Sequence, residues 1–302
     1  MMTDQAGKLR EMIQNRIVRN ASASEDSVME TGKRNTRFIC VTSGKGGVGK
    51  TNFSINLGIV MARMGKETAI IDADLGLANV DVVAGTLPKY TLNNLLYSDM
   101  SLEEIIGAGP EGLKIISGGS GLANLVDLPS EKVEVLIQHF QELYRLFDLV
   151  ILDTGAGLSR NILAFASACD EIIVITTPEP TSLTDAYAMI KAIIRDNASA
   201  KIHIVVNRAE NSKEGQQYYE KISNASEKFL GCQLEKLGVI LEDSSVSKAV
   251  KQQSPFIIAY PGSTAAKNIQ LIALKLTGED DLFLKMEPDG EGFVKRLARW
   301  FR

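Results

Sequence analysis

From residue 37 onward, short runs of apolar residues alternate with longer stretches in which apolar residues recur at helical spacing. The short runs predict strands at 37–42, 67–72, 113–117, 148–153, 171–176, 201–206 and 237–240. The longer stretches predict helices at 50–64, 131–146, 159–168, 182–196, 214–229, 245–252 and 263–276. Strands this apolar are usually buried on both faces. The pattern therefore predicts an α/β fold with a mostly parallel central sheet and helices on both faces.

Different patterns flank this region. Residues 3–19 carry apolar residues at helical spacing and predict a short amphipathic helix. Two polar, aperiodic stretches predict linkers, and the last eleven residues are again periodic. We therefore expect one folded domain between two linkers and two terminal helices, with the bounds 1–20, 21–36, 37–277, 278–291 and 292–302.

The composition is that of an ordinary globular protein, with 302 residues of which 45% are hydrophobic and 23% charged. This excludes a wholly disordered chain, a collagen-like fibre and an integral membrane bundle. The net charge of −4 argues against a protein that coats nucleic acid. The three cysteines are far apart and form no CxxC pair, so we expect neither a disulfide scaffold nor a zinc site. A reducing cytoplasm fits best.

One segment, GKGGVGKT at 44–51, matches the phosphate-loop motif GxxxxGK[ST]. It lies between a predicted strand and a predicted helix, as the mechanism requires. Backbone N–H groups of such a loop bind phosphates, its final lysine reaches the β and γ phosphates, and the next hydroxyl binds Mg²⁺. The residues expected to bind the nucleotide here are Gly44, Lys45, Gly46, Gly47, Val48, Gly49, Lys50, Thr51 and Asn52.

Three aspartates lie where predicted strands end. Asp72 and Asp74 are two residues apart on an extended segment and therefore point the same way. Asp153 ends the fourth predicted strand. Because α/β proteins bind ligands at the carboxyl ends of their strands, we expect all three beside the phosphate loop. The alternative is that one of the first two only caps the next turn.

An ordinary phosphate loop does not need the extra lysine, Lys45. Together with DADLGLANVD at 72–81, it makes the region resemble the MinD/ParA/nitrogenase-iron-protein class of P-loop ATPases, also called the SIMIBI class. The resemblance implies slow, dimerisation-dependent ATP hydrolysis, with ATP or ADP and Mg²⁺ as cofactors. The implied catalytic residues are Lys45, acting across a dimer interface, Lys50, and Asp74, which orients the attacking water. The implied metal site is Thr51, with Asp72 and Asp153 acting through water.

The same resemblance implies contacts to the adenine base. They fall on the segment after one strand and on a later loop, at Asn207, Arg208, Glu242, Asp243 and Val246. Two positions depart from the family pattern, since Gly155 and Leu241 stand where proline is common. The glycine predicts a looser switch after Asp153.

The chain ends in GFVKRLARWFR, which has an apolar and a basic side when drawn as a helix. Eleven residues of helix span only ~17 Å, so it would lie on a membrane surface and not cross it. The segment resembles the membrane-targeting tail of MinD. The implied lipid contacts are Phe293, Val294, Leu297, Trp300 and Phe301, with Lys295, Arg296 and Arg299 facing anionic headgroups. The alternative is a terminal helix that docks on the body.

Near the N-terminus, DQAGKLR at 4–10 matches the DQAxxLR signature of the FlhG family, also called YlxH or FleN, which controls flagellar number and placement. In that family the N-terminal helix binds the GTPase FlhF and stimulates GTP hydrolysis. The residues implied in this role are Asp4, Gln5, Ala6, Leu9 and Arg10. The alternative is a frayed terminal helix.

Three functions compete. The first is an ATP-dependent spatial regulator of flagella that dimerises with ATP. By resemblance it binds FlhF, the flagellar C-ring proteins FliM and FliN or FliY, and anionic lipid at the inner face of the cell membrane. The second is a division-site or other cargo-positioning MinD/ParA ATPase, which leaves DQAGKLR without a role. The third is a metal-cluster reductase or a cluster-assembly ATPase, and the chain lacks the nearby cysteine ligands that either needs.

Overall fold

The computed structural model describes residues 36–74, 79–98, 100–119, 128–278 and 292–300. Its strands are β1 (Arg37–Ser43), β2 (Thr68–Ala73), β3 (Gly107–Ala108), β4 (Lys114–Ile116), β5 (Leu149–Ala156), β6 (Glu171–Thr176), β7 (Lys201–Ala209) and β8 (Glu235–Leu241). Within the described residues they form one sheet in the order β3-β4-β2-β5-β1-β6-β7-β8. Every neighbouring pair is parallel except β3 and β4 at one edge. The predicted mostly parallel sheet is confirmed.

Helices cover both faces of the sheet. In chain order they are α1 (Lys50–Arg63), α2 (Asn79–Ala84), α3 (Leu92–Tyr97), α4 (Leu102–Ile105), α5 (Ser130–Leu146), α6 (Arg160–Ala168), α7 (Pro180–Asp196), α8 (Ser212–Leu230), α9 (Ser244–Lys251), α10 (Phe256–Ala259), α11 (Thr264–Gly278) and α12 (Phe293–Trp300). Buried side chains of α1, α2, α9, α10 and α11 share one hydrophobic cluster with one face of the strands. Those of α3 to α8 and of α12 share the other.

Successive residues of the central strands contribute their side chains alternately to the two hydrophobic clusters. Along β1, Phe38 and Cys40 belong to the cluster that contains α12, whereas Ile39 and Val41 belong to the cluster on the other face. All four are fully buried. This period-two alternation with apolar residues on both faces is the reason why the strand reads as a continuous apolar run.

The predicted elements of the domain are present, and the elements that were not predicted are short. The seven predicted strands and seven predicted helices of the domain are all observed, with bounds that shift by a few residues. The described elements that the sequence did not predict are the two-residue strand β3, the 3₁₀ helix Pro110–Gly112 and the helices α2, α3, α4 and α10. The predicted helix at 3–19 lies outside the described residues, as do the predicted linkers at 21–36 and 278–291 except for Thr36 and Gly278.

Helix α12 packs on the body, in the groove between α5 and α6. Phe293, Val294 and Leu297 are buried there, and the Phe293 ring stacks on Phe38 with a centroid distance of 4.2 Å. Arg296 donates from Nε to the carbonyl of Ala168 at 2.7 Å. The predicted contact of this helix with lipid stays a prediction. The alternative of a docked terminal helix describes this conformation.

A row of ionisable side chains crosses the sheet at the amino ends of the strands. Glu171 is 4% exposed and pairs with Arg37 on β1, and its Oε2 lies 2.6 Å from Nε2 of His203 on β7. Nδ1 of His203 lies 3.3 Å from Glu235 on β8. Burial alone would raise the pKa of Glu171, but hydrogen bonds from His203 and Arg37 hold that pKa well below its ordinary value. The row therefore links side chains of four neighbouring strands, β1, β6, β7 and β8.

Among the described helices, none combines the length and the apolar character that a membrane crossing requires.

Candidate active site

The phosphate loop connects the end of β1 to the start of α1, as predicted. Gly47 and Gly49 have φ values of 76° and 97°, in the left-handed region that favours glycine. A Cβ atom on Gly44 would overlap the backbone carbonyl of Asp185 on α7. Gly47 and Gly49 therefore allow the loop backbone to curve, and Gly44 allows the loop to approach α7 closely.

Lys50, the final lysine of the motif, lies inside the loop. Its Nζ donates to Oγ of Ser43 at 2.9 Å, and the residue is 8% exposed. Burial lowers the pKa of Lys50, while the charges of Asp153 and Asp74 act in the opposite direction. Ser43 is a site residue that the motif did not predict. Its hydroxyl oxygen accepts the hydrogen bond of the Lys50 ammonium group at the carboxyl end of β1.

Asp72 and Asp153 lie side by side on neighbouring strands. They are register partners of the parallel pair β2 and β5, and both are almost fully buried. Burial, with the nearby charge of Asp153, raises the pKa of Asp72 to about 7. Burial raises the pKa of Asp153 to about 6, although Thr51, Ser54 and Lys50 oppose the shift. Two carboxylates this close are stabilised by a cation between or beside them.

The surroundings of Asp153 fit a magnesium ion. Oδ1 accepts the hydroxyl of Ser54 at 2.8 Å, whereas Oδ2 is buried and accepts no hydrogen bond from the described residues. In the described part of the chain, no three or more His, Cys, Asp or Glu side chains are arranged so that they could hold a metal ion by themselves. Mg²⁺ commonly keeps several waters and takes phosphate oxygens as ligands. The Thr51 hydroxyl, with Asp153 and Asp72 through water, stays the predicted protein part of the metal site.

Asp74 stands at the carboxyl end of β2, as predicted. Its Oδ2 accepts Nδ2 of Asn79 at 3.3 Å, and its backbone N–H donates to Oδ1 of Asp72 at 3.0 Å. A Cβ atom on Gly155 would lie 3.0 Å from Oδ1 of Asp74. The glycine at this position therefore makes room for the carboxylate, which a proline ring would crowd. This gives a physical reason for the departure from the family pattern.

Lys45 is paired within its own chain. Its Nζ lies 2.7 Å from Oε2 of Glu179 and 3.1 Å from Oγ1 of Thr181, both at the start of α7. The hydrogen bond and charge of Lys45 lower the pKa of Glu179. The expected role of Lys45 across a dimer interface stays a prediction. Glu179 and Thr181 carry no sequence signal of their own, because they are 134 and 136 residues from Lys45.

A cavity of about 380 Å³ opens beside the loop, between α1, β7, β8 and α9. It is lined by every residue predicted to contact adenine, together with Asn52 from the loop. The predicted lining residues are Asn52, Asn207, Arg208, Glu242, Asp243 and Val246. The sequence did not predict its apolar walls, which include Phe53, Ile240, Val250, Phe256 and Ile269. A mostly apolar cleft with a few polar groups is typical of a site for a flat aromatic base.

Two of the polar residues that line the cavity form hydrogen bonds with other groups of the chain. Asp243 caps α9, since Oδ1 accepts the N–H of Ser245 at 2.8 Å and Oδ2 accepts the N–H of Ala265 at 3.2 Å. It shapes the wall of the cavity by joining α9 to α11. Asn207 donates to the carbonyl of Val48 in the phosphate loop at 2.7 Å.

The residues of the predicted GTPase-activating motif, at 4–10, and Phe301 of the predicted lipid-binding set lie outside the described residues. Of the other residues of that set, Lys295 and Arg299 are exposed, and Arg296 and Trp300 are partly buried.

Comparison with known proteins agrees with this geometry. Residues 39–256 match the CobQ/CobB/MinD/ParA nucleotide binding domain. The chain is 38% identical over 265 residues to the antiactivator FleN of Pseudomonas aeruginosa, covering 87% of this chain and 94% of FleN. It is 32% identical to the flagellum site-determining protein YlxH of Helicobacter pylori, covering 99% of both chains.

Among solved structures, the septum site-determining protein MinD of Pyrococcus horikoshii, complexed with Mg-ADP, superimposes with a TM-score of 0.66. The match has 25% sequence identity and covers 83% of this chain and all of MinD. The present chain has the features of a MinD/ParA-type P-loop ATPase: a phosphate loop with two lysines, paired aspartates at the ends of strands, and a cavity for the base. With the two flagellar relatives, these features place the chain in the FlhG family, also called YlxH or FleN, of MinD/ParA-like ATPases.

Proposed function

We propose that this chain regulates the number and placement of flagella through a cycle of ATP binding and hydrolysis. The observation that carries the proposal is the convergence of Lys50, Asp72, Asp74 and Asp153 at one edge of the sheet beside the phosphate loop. This convergence supports hydrolysis of a nucleoside triphosphate. The similarity to FleN and YlxH supports the flagellar role.

Each side chain has a distinct task in hydrolysis. Lys50 exchanges Ser43 for the β and γ phosphates. Asp74, held by Asn79, orients the water that attacks the γ phosphate. A magnesium ion, when bound at Thr51 and Asp153, offsets negative charge on the phosphate oxygens. The base rests in the apolar cavity, so that the phosphates reach these groups in a fixed register.

The cycle includes an ATP-dependent homodimer. In the monomer, Lys45 is neutralised by Glu179 of its own chain. A partner's triphosphate offers several negative charges in place of one, so ATP favours the state in which Lys45 crosses to the partner. Loss of the γ phosphate weakens that attraction and returns Lys45 to Glu179. Lys45 then serves as both a charge sensor and a catalytic group.

The cycle also includes reversible attachment to anionic lipids at the inner face of the cell membrane. Phe293, Val294 and Leu297 must leave their groove before they contact lipid. Helix α6 forms one wall of that groove, and it begins directly after the switch that contains Gly155. A change in this switch on ATP binding therefore acts on α6, and through the bond between Ala168 and Arg296 on α12.

The expected partners are FlhF, engaged by the N-terminal motif, and the C-ring proteins FliM and FliN or FliY. The full-length chain should accelerate GTP hydrolysis by FlhF, and Gln5→Ala should remove most of that effect while leaving ATP binding unchanged. In cells, deletion of the gene should change the number of flagella, with rescue by the wild-type chain and none by Asp74→Ala. Normal flagella in the deletion strain, with misplaced division sites, would favour the division-site or cargo-positioning alternative.

A further inference from the structure

Asn207 near the end of β7 is bonded to the phosphate loop. Its Nδ2 donates to the carbonyl of Val48 at 2.7 Å, and its Oδ1 accepts the N–H of Arg208 at 3.0 Å. The two bonds fix the orientation of the amide, because a carbonyl requires a donor and an N–H requires an acceptor. Arg208 has a φ of 58°, an uncommon left-handed conformation for a non-glycine residue. The backbone is thus held so that the side chain of Asn207 faces the loop.

This contact controls the direction of one peptide plane in the loop. In a planar trans peptide, the C=O and the following N–H point in opposite directions. By holding the carbonyl of Val48, Asn207 therefore turns the N–H of Gly49 away from itself. The fit is close, since a Cβ atom on Gly49 would lie 2.5 Å from Nδ2 of Asn207. In phosphate loops, backbone N–H groups are the anion-binding elements.

The hydrogen bond joins two residues that are far apart in sequence and reaches across the end of a strand. Asn207 and Val48 are 159 residues apart, and β6 lies in the sheet between β7, which carries Asn207, and β1, after which the loop follows. Val48 is 2% exposed, so its carbonyl would find little water if the amide were removed. An unpaired buried carbonyl is costly and tends to reorient. Without Asn207, the peptide between Val48 and Gly49 therefore loses the group that fixes it.

We propose that Asn207 is a positioning residue for the phosphates, which holds the Val48–Gly49 peptide in its anion-binding orientation, in addition to its place in the base cavity. This inference rests on the proposed function as a nucleotide-binding enzyme. It assigns to one side chain an effect on both ends of the nucleotide. Its consequence is that affinity for a ligand with phosphates and no base depends on Asn207.

The test compares MgATP with magnesium tripolyphosphate, which has three phosphates and no base, by isothermal titration calorimetry. Asn207→Asp keeps the acceptor for Arg208 and loses the donor for Val48, but it adds a negative charge near the phosphates. Asn207→Leu loses the donor without adding charge. We expect both ligands to bind about tenfold more weakly to each variant, and unchanged tripolyphosphate binding by Asn207→Leu would contradict a positioning role. The matched control is Val246→Ala, which alters only the wall of the base cavity. It should weaken MgATP and leave tripolyphosphate unchanged.

A pH series separates positioning from damage to the fold. At low pH the introduced carboxyl becomes protonated and can donate to Val48, so the ratio of wild-type to variant affinity for tripolyphosphate should fall towards one. A misfolded variant would not recover. Unchanged tripolyphosphate binding by Asn207→Asp, with weakened MgATP binding, would overturn the inference. Binding of tripolyphosphate but not of ATP by the wild-type chain would count against the proposed function alone.

Discussion

Loosening the groove that holds α12, without altering α12 itself, should increase binding to lipid. Phe140→Ala truncates a fully buried ring on α5, whose centroid lies 6.0 Å from that of Phe293. Every side chain that would contact a membrane is unchanged in this variant. Because groove and lipid compete for the same apolar side chains, weaker docking leaves more of the chain available to vesicles.

The expected increase in the undocked fraction of α12 follows from the contacts of Phe293. Truncation of a buried Phe costs about 3–5 kcal/mol of fold stability, but only the part owed to Phe293 changes docking. An edge-to-face or offset aromatic pair contributes about 0.5–1.5 kcal/mol beyond burial. The stack of Phe293 on Phe38, at 4.2 Å, is retained. Since 1.4 kcal/mol is a factor of ten, the undocked fraction should rise about two- to twelvefold.

Flotation with vesicles that contain phosphatidylglycerol measures this change, without added nucleotide. The matched control is Met61→Ala, which removes a buried side chain of α1 on the opposite face of the sheet and touches no part of the groove. Its cost of about 2–5 kcal/mol is similar, so it separates a loose groove from a less stable fold. Equal flotation of Phe140→Ala, Met61→Ala and the wild-type chain would refute the competition between groove and lipid.

Four further results are expected. Asp74→Ala should accumulate an ATP-bound dimer with little turnover, and elution of monomer alone in size exclusion with MgATP would contradict this. Glu179→Gln should release Lys45 and raise the ATP-dependent dimer fraction by up to about fivefold in light scattering, as for an exposed ion pair, with no gain in Lys45→Ala. Removal of residues 292–302 should abolish vesicle binding while dimerisation in solution persists. Because folding lowers the pKa of Glu171, its stabilising effect is present above the unfolded value of about 4.5 and is lost as pH falls; acid unfolding of Glu171→Gln should lack this component.

The sheet and the loop could be predicted from sequence because their signals are local. An apolar run such as the one in β1 is set by burial on both faces, and the glycines of the loop are set by backbone geometry. Helices of four to six residues, such as α2 and α10, escaped prediction because they contain less than two turns. Such a stretch is too short to show a period of 3.6 residues.

The contacts of Glu179 and Asn207 with the phosphate loop could not be predicted for a different reason, although Asn207 was expected beside the adenine base. Glu179 and Asn207 reach the phosphate loop only because α7 and β7 fold beside it, more than 130 residues later in the chain. Gly155 reads as a departure from the family pattern, yet its space is taken by Asp74 from a neighbouring strand. Motifs give the residue types that a reaction needs, while tertiary contacts decide which backbone or carboxylate each one touches.

The C-terminal helix shows where sequence periodicity stops being informative. An apolar stripe with cations on the other side fits a lipid surface, and it fits a protein groove equally well, because both bury one face and leave the other in water. What distinguishes the groove is specific polar geometry. Arg296, assigned from the sequence to anionic headgroups, here bonds the carbonyl of Ala168 and the carboxylate of Asp170. A carbonyl at the end of α6 and a nearby carboxylate offer this cation what a phospholipid headgroup offers it. The same residues can therefore serve both sites in turn, and the balance between them is set by the groove residues on α5 and α6.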